Sequence, residues 1–400
     1  MNRRFLSAFL LFALSGACAA AQAKLAPSAE PCEQAFKHGS AAVLKAQQSL
    51  MQQHIAEMDE AVTPVLQKQI AEFKDVLVSA ADVILHCESA DTPADQLQKD
   101  LAKQFHANQP DNSQTQLPYG AELKVSVATP AAAPQLRIVE IHFDIECGDD
   151  AVLLVYEPDK GVKSISMTGA RSDSSKPDGF SRTLRWQAQP YDQISGAFGG
   201  FFKYLLLPAQ ASKPWRLVVA HGTDWCTSRW SGYGIDLIEP YADAPRVIWH
   251  DQQRYVRETD PKLTLRPNGF ELRVDVGTIE TEQMVRKGVF HYAVDGDTVR
   301  RTQPIAVDGR GFVDEWLQYP WDEAKDWVLP EGLAGFKAAH DAFERGRKDS
   351  SVTYSYGPVR ACTMKGQYEV EIDAEPGGKQ FYAIREGNNG YTLEIGRAHV

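Results

Sequence analysis

The sequence lacks any apolar stretch long enough to cross a membrane as a helix. A spanning helix needs about 20 apolar residues, whereas the stretch Phe5–Leu14 is far shorter. This stretch follows Arg3 and Arg4 and precedes small residues that end at Ala23. The three-part pattern is typical of a cleavable secretory signal. We therefore expect residues 1–23 to be removed and the mature chain to be exported to a bacterial periplasm or secreted, with no transmembrane segment.

Cys18 leaves a second fate for the N-terminus open. A cysteine after small residues at the end of an export signal can carry lipid, and such signals usually have Leu three residues before it. Here Ser15 occupies that place and Leu14 lies one residue further back. We favour cleavage over a lipid anchor at Cys18.

Compact catalytic and metal-binding motifs are also missing. The sequence contains no HExxH zinc-protease helix, no phosphate-binding glycine loop and no complete EF-hand loop. His221-Gly222 after the apolar stretch Leu217–Ala220 resembles the oxyanion loop of α/β-hydrolases. That family also requires a Gly-x-Ser-x-Gly elbow and alternating strands and helices, which are absent here. We reject this identification and expect no cofactor.

Positive charge is scarce relative to negative charge. The 42 Lys and Arg residues are outnumbered by 53 Asp and Glu residues, so the net charge is −11, and loss of Arg3 and Arg4 with the signal changes it to −13. An acidic surface repels phosphate backbones, which argues against a nucleic-acid partner. We expect an envelope protein or a cell-wall glycan as partner, and composition leaves the oligomeric state open.

The cysteines left after cleavage are five, and none of them has CxxC or zinc-site spacing. In an exported chain such cysteines predict disulfides. We expect one bond between Cys32 and Cys87 and a second between Cys147 and Cys226. Cys362 is left over, either as a free thiol or as the partner of a cysteine beyond a truncated end.

Residues 24–107 are predicted to form a helical hairpin domain. Apolar residues on its second helix recur at spacings of four and three, which indicates a seam against one neighbouring helix: Leu66, Ile70, Phe73, Leu77, Ala80, Ile84 and Cys87. A break at Asp59–Pro64 reverses the chain, so Cys32 and Cys87 meet at the open end. A third helix is expected to have Thr92 as its N-cap and to end near His106.

Beyond a linker at 108–134, with one strand expected at Glu122–Val127, the apolar pattern changes from helical to alternating. We predict an α+β chain that is mainly β, with residues 135–349 in a large antiparallel domain, either a sandwich or an irregular barrel. Hairpins are expected for three pairs of segments: Val152–Tyr156 with Val162–Ser166, Ile235–Ile238 with Val247–Trp249, and Phe290–Val294 with Thr298–Arg301.

Two helical insertions are predicted near the end of this domain, at Phe312–Val328 and Leu333–Arg345. Short strands then return in a C-terminal β segment, 350–393, which we expect to be truncated. The closing residues 394–400 match the translation of a common sequencing adapter, and we expect them to be foreign to the protein.

The densest group of reactive side chains runs from His221 to Trp230. His221 can act as a base that Asp224 orients, while Arg229 can hold an anion. Trp225 and Trp230 are candidate binding residues in the same loop. The simpler interpretation is that Cys226 pairs with Cys147, with the tryptophans packed on the bridge and the polar groups bonded to loop backbone.

A weaker pattern places His142, Asp144 and Glu146 on one face of a strand, where they are candidate metal ligands. The simpler interpretation is that these three residues form the solvent-exposed face of a half-buried strand. All tryptophans lie between Trp186 and Trp327, and aromatic faces beside acids can stack on sugars, although we expect most of these rings in the core.

Taken together, these patterns favour a non-catalytic binding or scaffolding protein of the cell envelope. The alternative is a secreted hydrolase that uses His221 and Asp224 on cell-wall or small ester or glycan substrates.

Overall fold

A computed structural model describes the chain in thirteen stretches: residues 32–53, 63–106, 119–145, 148–159, 179–187, 202–209, 213–223, 230–241, 245–256, 261–280, 285–302, 308–387 and 390–394. Their secondary structure confirms the predicted α+β class, with helices at the N-terminus followed by antiparallel sheets. Of the helices in these stretches, none is long and apolar enough to cross a membrane.

The N-terminal helices form the predicted hairpin. Helix α1 spans Cys32–Met51 and helix α2 spans Pro64–Cys87. Most of the break predicted between them falls in residues 54–62, which lie outside the described residues. The hydroxyl of Thr63 caps α2 by accepting a hydrogen bond from the amide of Leu66, with Pro64 in the first turn. The seam residues from Leu66 to Ile84 are buried. Cys32 and Cys87 are disulfide-bonded, with their Cα atoms 5.9 Å apart, which confirms the predicted pairing.

Helix α3 spans Ala94–Gln104, and the prediction that Thr92 is its N-cap is wrong. Pro93 occupies the cap position with an extended backbone and no side-chain cap bond. The hydroxyl of Thr92 instead lies 3.5 Å from the carboxylate of Glu88, and its amide donates to Ser89 in a turn. These bonds hold Thr92 outside the helix, so its side chain is not placed to cap the first turn.

The described strands form four antiparallel sheets of four strands each, and every sheet is a meander in chain order. Sheet 1 contains β1 (Lys124–Ala128), β2 (Arg137–Ile145), β3 (Gly148–Pro158) and β4 (Phe180–Gln187). Sheet 2 contains β5 (Phe202–Leu207), β6 (Arg216–Thr223), β7 (Trp230–Glu239) and β8 (Arg246–Val256).

Sheet 3 contains β9 (Lys262–Arg266), β10 (Gly269–Gly277), β11 (Val285–Asp295) and β12 (Thr298–Arg301). Sheet 4 contains β13 (Thr353–Ala361), β14 (Gln367–Glu375), β15 (Gly378–Gly387) and β16 (Gly390–Leu393). Helices α4 (Gly309–Gln318), α5 (Trp321–Ala324) and α6 (Leu333–Gly346) lie between β12 and β13 and include the two predicted insertions. None of the four sheets closes into a barrel in these stretches.

Alternating side chains assign the two faces of sheet 1 to different cores. On β3, Val152, Leu154 and Tyr156 pack with the helices, whereas Leu153 and Val155 pack toward sheet 2. Because successive residues of a strand point to opposite faces, a strand that is apolar at every position can serve two cores at once. Sheet 1 therefore lies between the helical hairpin and sheet 2.

Sheet 2 repeats this arrangement on its own two faces. Leu217 and Val219 of β6 contribute to the core shared with sheet 1, while Val218 and Ala220 contribute to the core shared with sheet 3. Sheet 4 forms a further core with the C-terminal helices, around Trp316. The order of layers is helices, sheet 1, sheet 2 and sheet 3.

Two of the three predicted hairpins are confirmed. Strand β7 pairs with β8, with Leu237 opposite Trp249, and β11 pairs with β12 across the turn that follows Asp295. The third hairpin required Val162–Ser166, which lies outside the described residues. The strand expected at Glu122–Val127 is β1, which pairs with β2 in sheet 1. That part of the predicted linker is built into the sheet, and the domain boundaries themselves stay predictions.

Candidate functional site

His221, the predicted base, lies in the interior of the molecule. It is on β6, a central strand of sheet 2, and its side chain is fully buried. Its ring centroid lies 5.0 Å from that of Trp186 on β4 of sheet 1. The apolar run Leu217–Ala220 explains this location, because such a run forms a strand with two buried faces. His221 is therefore part of the layer between sheets 1 and 2.

Burial also decides the charge of His221. Loss of hydration, followed by repulsion from His250, lowers the pKa of His221 to about 3, so its ring is neutral near pH 7. The Nε2 atom lies 3.8 Å from Oδ2 of Asp236, which is longer than a hydrogen bond. A general base must reach the proton that it removes. The buried position of His221 is unsuited to that role for a substrate in solvent.

Several predicted site residues lie outside the described stretches. Asp224, Trp225 and Arg229 are among them, as are the Trp230 side chain and both cysteines of the second expected disulfide, Cys147 and Cys226. The pairing of His221 with Asp224 and the second disulfide therefore stay predictions. Cys362 is exposed as a free thiol.

Asp236 on β7 makes one hydrogen bond to sheet 1 and one within sheet 2, and sequence reasoning missed it. Its buried carboxylate accepts a hydrogen bond of 2.8 Å from the indole Nε1 of Trp186. The other carboxylate oxygen lies 2.7 Å from Nδ1 of His250 on β8. The signal that indicates such a residue is an acid inside the apolar run Ile235–Ile238, because a carboxylate in a central strand requires donors.

His250 presents a histidine and aspartate pair at the surface. Its side chain is 39% exposed, whereas that of Asp236 is only 7% exposed. A buried carboxylate that holds one ring nitrogen orients the imidazole, as in acid–base catalytic pairs. This pair is the arrangement in the described structure that most resembles catalytic machinery.

His142 is the first residue of the predicted metal row, and it contacts carboxylates through both ring nitrogens. Its Nδ1 lies 2.8 Å from Asp149, and its Nε2 is in close contact with Glu140. Burial alone lowers the pKa of His142, but the bonds to Asp149 and Glu140 outweigh burial and raise the pKa to about 9. His142 is therefore a cation near pH 7, and a protonated imidazole does not ligate a metal.

Asp144, the second residue of that row, is half-buried. Burial and then the charge of Glu122 raise the pKa of Asp144 to about 6. Glu146 lies outside the described residues. Within the described stretches, no group of three His, Cys, Asp or Glu side chains is arranged to hold a metal ion. The metal row thus stays a prediction that depends on Glu146.

Most of the described tryptophan rings belong to the core. Trp186, Trp215, Trp316 and Trp327 are buried, while Trp249 and Trp321 are partly exposed. The ring of Trp249 packs edge-on against Tyr292, with centroids 5.2 Å apart. An aromatic surface for a sugar is limited, among these rings, to parts of Trp249 and Trp321.

A buried ionic network joins sheet 3 to helix α4, and it too was missed by sequence reasoning. Arg286 on β11 lies 2.7 Å from the fully buried carboxylate of Asp314. Arg301 on β12 contacts Glu315 and lies 4.6 Å from the centre of the Phe290 ring. These contacts are those of a structural link, because each charge is matched by one on the neighbouring element.

A cleft opens at one end of the interface between sheets 2 and 3. Its volume is about 290 Å³, and residues from the end of β5, the start of β6 and the β9–β10 turn surround it. The cleft has an apolar lining: Leu207, Pro208, Pro214, Leu265, Pro267 and Val294. Three cations also line it: Lys213, Arg216 and Arg266. Concave apolar sites with a few polar groups are typical of small-molecule binding.

Comparison with known protein families, curated proteins and solved structures finds no match for this chain.

Proposed function

We propose that this chain is an exported, non-catalytic binding or scaffolding protein of the bacterial cell envelope. The observation that carries the proposal is the buried, neutral His221, which forms part of the core between sheets 1 and 2. The residue best suited by sequence to start hydrolysis thus has a packing role. Export is supported by the signal-like N-terminus and by the Cys32–Cys87 bond, since disulfides persist in oxidising compartments.

Two surfaces support binding. Helix α1 leaves Leu44 and Met51 more than one third exposed, which suits contact with an envelope protein. The rest of the chain contributes the partly exposed Trp249 of β8 and Trp321 of α5, which suit a glycan, and the cleft between sheets 2 and 3. Binding of this kind needs no base, nucleophile or metal.

A secreted hydrolase remains the second candidate, because His250 and Asp236 form an oriented pair at the surface. In this alternative the base is His250 and not His221. The substrates are the same cell-wall, ester or glycan compounds that the sequence suggests.

One assay separates the two candidates. Purified mature protein is incubated with a panel of ester, peptide and glycan substrates, alongside His221→Ala, His250→Ala and the control His340→Ala, whose native ring bonds the Tyr319 carbonyl in a distant core. We expect no turnover by the parent protein. Turnover that disappears in His250→Ala but persists in a folded His340→Ala protein would establish the hydrolase and remove the binding proposal.

A further inference from the structure

We propose that the cleft between sheets 2 and 3 binds a small amphipathic carboxylate, an anion carried on a short apolar chain. This inference rests on the proposed binding function and assigns to it a site and a ligand class.

The apolar part of the cleft comes from both sheets. Leu207 is the last residue of β5, Pro208 follows it, and Pro214 precedes β6, so sheet 2 supplies one wall. Leu265 near the end of β9 and Pro267 in the β9–β10 turn supply the other wall. Leu265 is 50% exposed, so its side chain is accessible to a ligand in the cleft. An apolar chain lying on these residues would cover Leu265 and gain free energy from the area removed from water.

The cations of the cleft differ in how many hydrogen bonds they already make. Arg216 is buried, and its three nitrogens donate to Glu239, Asp297 and the Gly296 carbonyl. It is therefore satisfied by the protein itself. Its role is to fix the wall of the cleft.

Lys213 and Arg266 retain donors for a ligand. The ammonium of Lys213 makes one bond, of 2.9 Å, to Asp297, although an ammonium has three donors. The guanidinium of Arg266 makes one bond, of 2.9 Å, to Glu271, although it has five donors. Both side chains are partly exposed at the cleft. Because both residues line the cleft, their remaining donors are available to a carboxylate bound there without displacement of Asp297 or Glu271.

The local charge also favours an anion. The ion pairs around the cleft join four cations to three carboxylates: Lys213, Arg216, Arg246 and Arg266 with Glu239, Glu271 and Asp297. This excess of positive charge occurs in a chain whose net charge is −11. A positive site on an acidic protein concentrates anions locally.

The form of the site selects a carboxylate over a larger anion. A planar guanidinium matches a carboxylate geometrically, and the two available cations suit a single negative charge. The volume of about 290 Å³ lies at the lower limit of ligand sites, which suits a chain of several carbons. Two sources have this chemistry, a free short fatty acid and an apolar C-terminal residue of a peptide.

The test is calorimetric titration of the mature protein with octanoate, 1-octanol and N-acetyl-leucine. We expect octanoate to bind and octanol to bind at least fivefold more weakly, because octanol lacks the charge. Arg266→Gln should weaken octanoate binding about fivefold. The matched control is Arg273→Gln, because Arg273 pairs with the same Glu271 but does not line the cleft. Leu265→Asn should weaken binding through the apolar wall.

Tighter binding of N-acetyl-leucine than of octanoate would identify a peptide terminus as the source. The inference is overturned if neither carboxylate binds at millimolar concentration, or if Arg266→Gln and Arg273→Gln weaken binding equally. A failure of this kind, with no turnover in the substrate panel, would leave the proposed binding function standing. Turnover in that panel would overturn the function whatever the titration shows.

Discussion

Replacing Lys74 by Met should destabilise the protein far more than a lysine substitution on a helix usually does. Lys74 of α2 lies 2.5 Å from Asp150 of β3, and the two side chains are 4% and 0% exposed. The variant would leave the Asp150 carboxylate buried with one remaining bond, from the Ala151 amide at 2.7 Å. Breaking a buried ion pair on one side typically costs about 3–5 kcal/mol. The reciprocal variant Asp150→Leu leaves the Lys74 ammonium buried without its carboxylate and should lower the free energy of unfolding by a similar amount.

The double variant Lys74→Met/Asp150→Leu distinguishes this reasoning from simple loss of a contact. Replacing both members of a buried pair by apolar residues of similar volume is often neutral or stabilising. We therefore expect the double variant to recover most of the loss, which gives a coupling energy of about 3 kcal/mol or more. A pair that instead contributes a large net attraction would leave the double variant as unstable as the single ones.

The assay is urea unfolding, followed by far-ultraviolet circular dichroism and by tryptophan fluorescence. Coincident transitions from the two probes justify a two-state free energy. The control is Lys99→Met on α3. The side chains of Lys99 and its ion-pair partner Asp95 are both exposed, so this substitution should leave the urea midpoint unchanged. Single variants that shift the midpoint no more than this control would refute the reasoning.

Three further predictions concern the disulfide and two histidines. Replacing Cys32 and Cys87 by Ser should lower the free energy of unfolding by about 4 kcal/mol, because the bond closes a loop of 55 residues; urea unfolding with and without reductant measures this loss. His142 has a pKa of about 9 in the folded protein, above its ordinary value of 6.5. Its stabilising contribution is therefore complete below pH 6.5 and is lost as the pH rises through 9. His142→Gln should make the free energy of unfolding depend less on pH over this range. His221 has a pKa of about 3 in the folded protein, so the unfolded chain binds one more proton than the folded chain between pH 6.5 and 3. The free energy of unfolding therefore falls as the pH falls through that range. His221→Gln should reduce this fall, whereas an unchanged dependence of the unfolding free energy on pH would contradict a buried, neutral His221.

The helical hairpin could be predicted because its signals are local. Leu66 and Ile84 recur on one face at helical spacing, Pro64 starts the second helix, and the nearly equal distances of Cys32 and Cys87 from the break place them together. The same holds for the β11–β12 turn at Asp295. These features depend on residues close in sequence or on one simple reversal of the chain.

The links between layers could not be predicted, because their partners are far apart in sequence. Trp186 donates to Asp236 across 50 residues, and Tyr156 donates to Asp82 across 74. In the sequence, Lys74 resembles a solvated residue of an amphipathic helix. In the structure it is buried against Asp150 of β3. A candidate site that depends on such contacts is visible only once the order of the sheets is known.

The same shared faces determine how the molecule can be dissected. A fragment that stopped after β8 would expose to water the residues of sheet 2 that sheet 3 normally covers, such as Val218 and Ile235. An uncovered apolar sheet promotes aggregation. Shortened versions for crystallisation or partner screening should therefore keep the N-terminal helices and sheets 1 to 3 together, since a cut between any two of these layers would expose a shared apolar face even when each piece retains its own hydrogen-bonded strands.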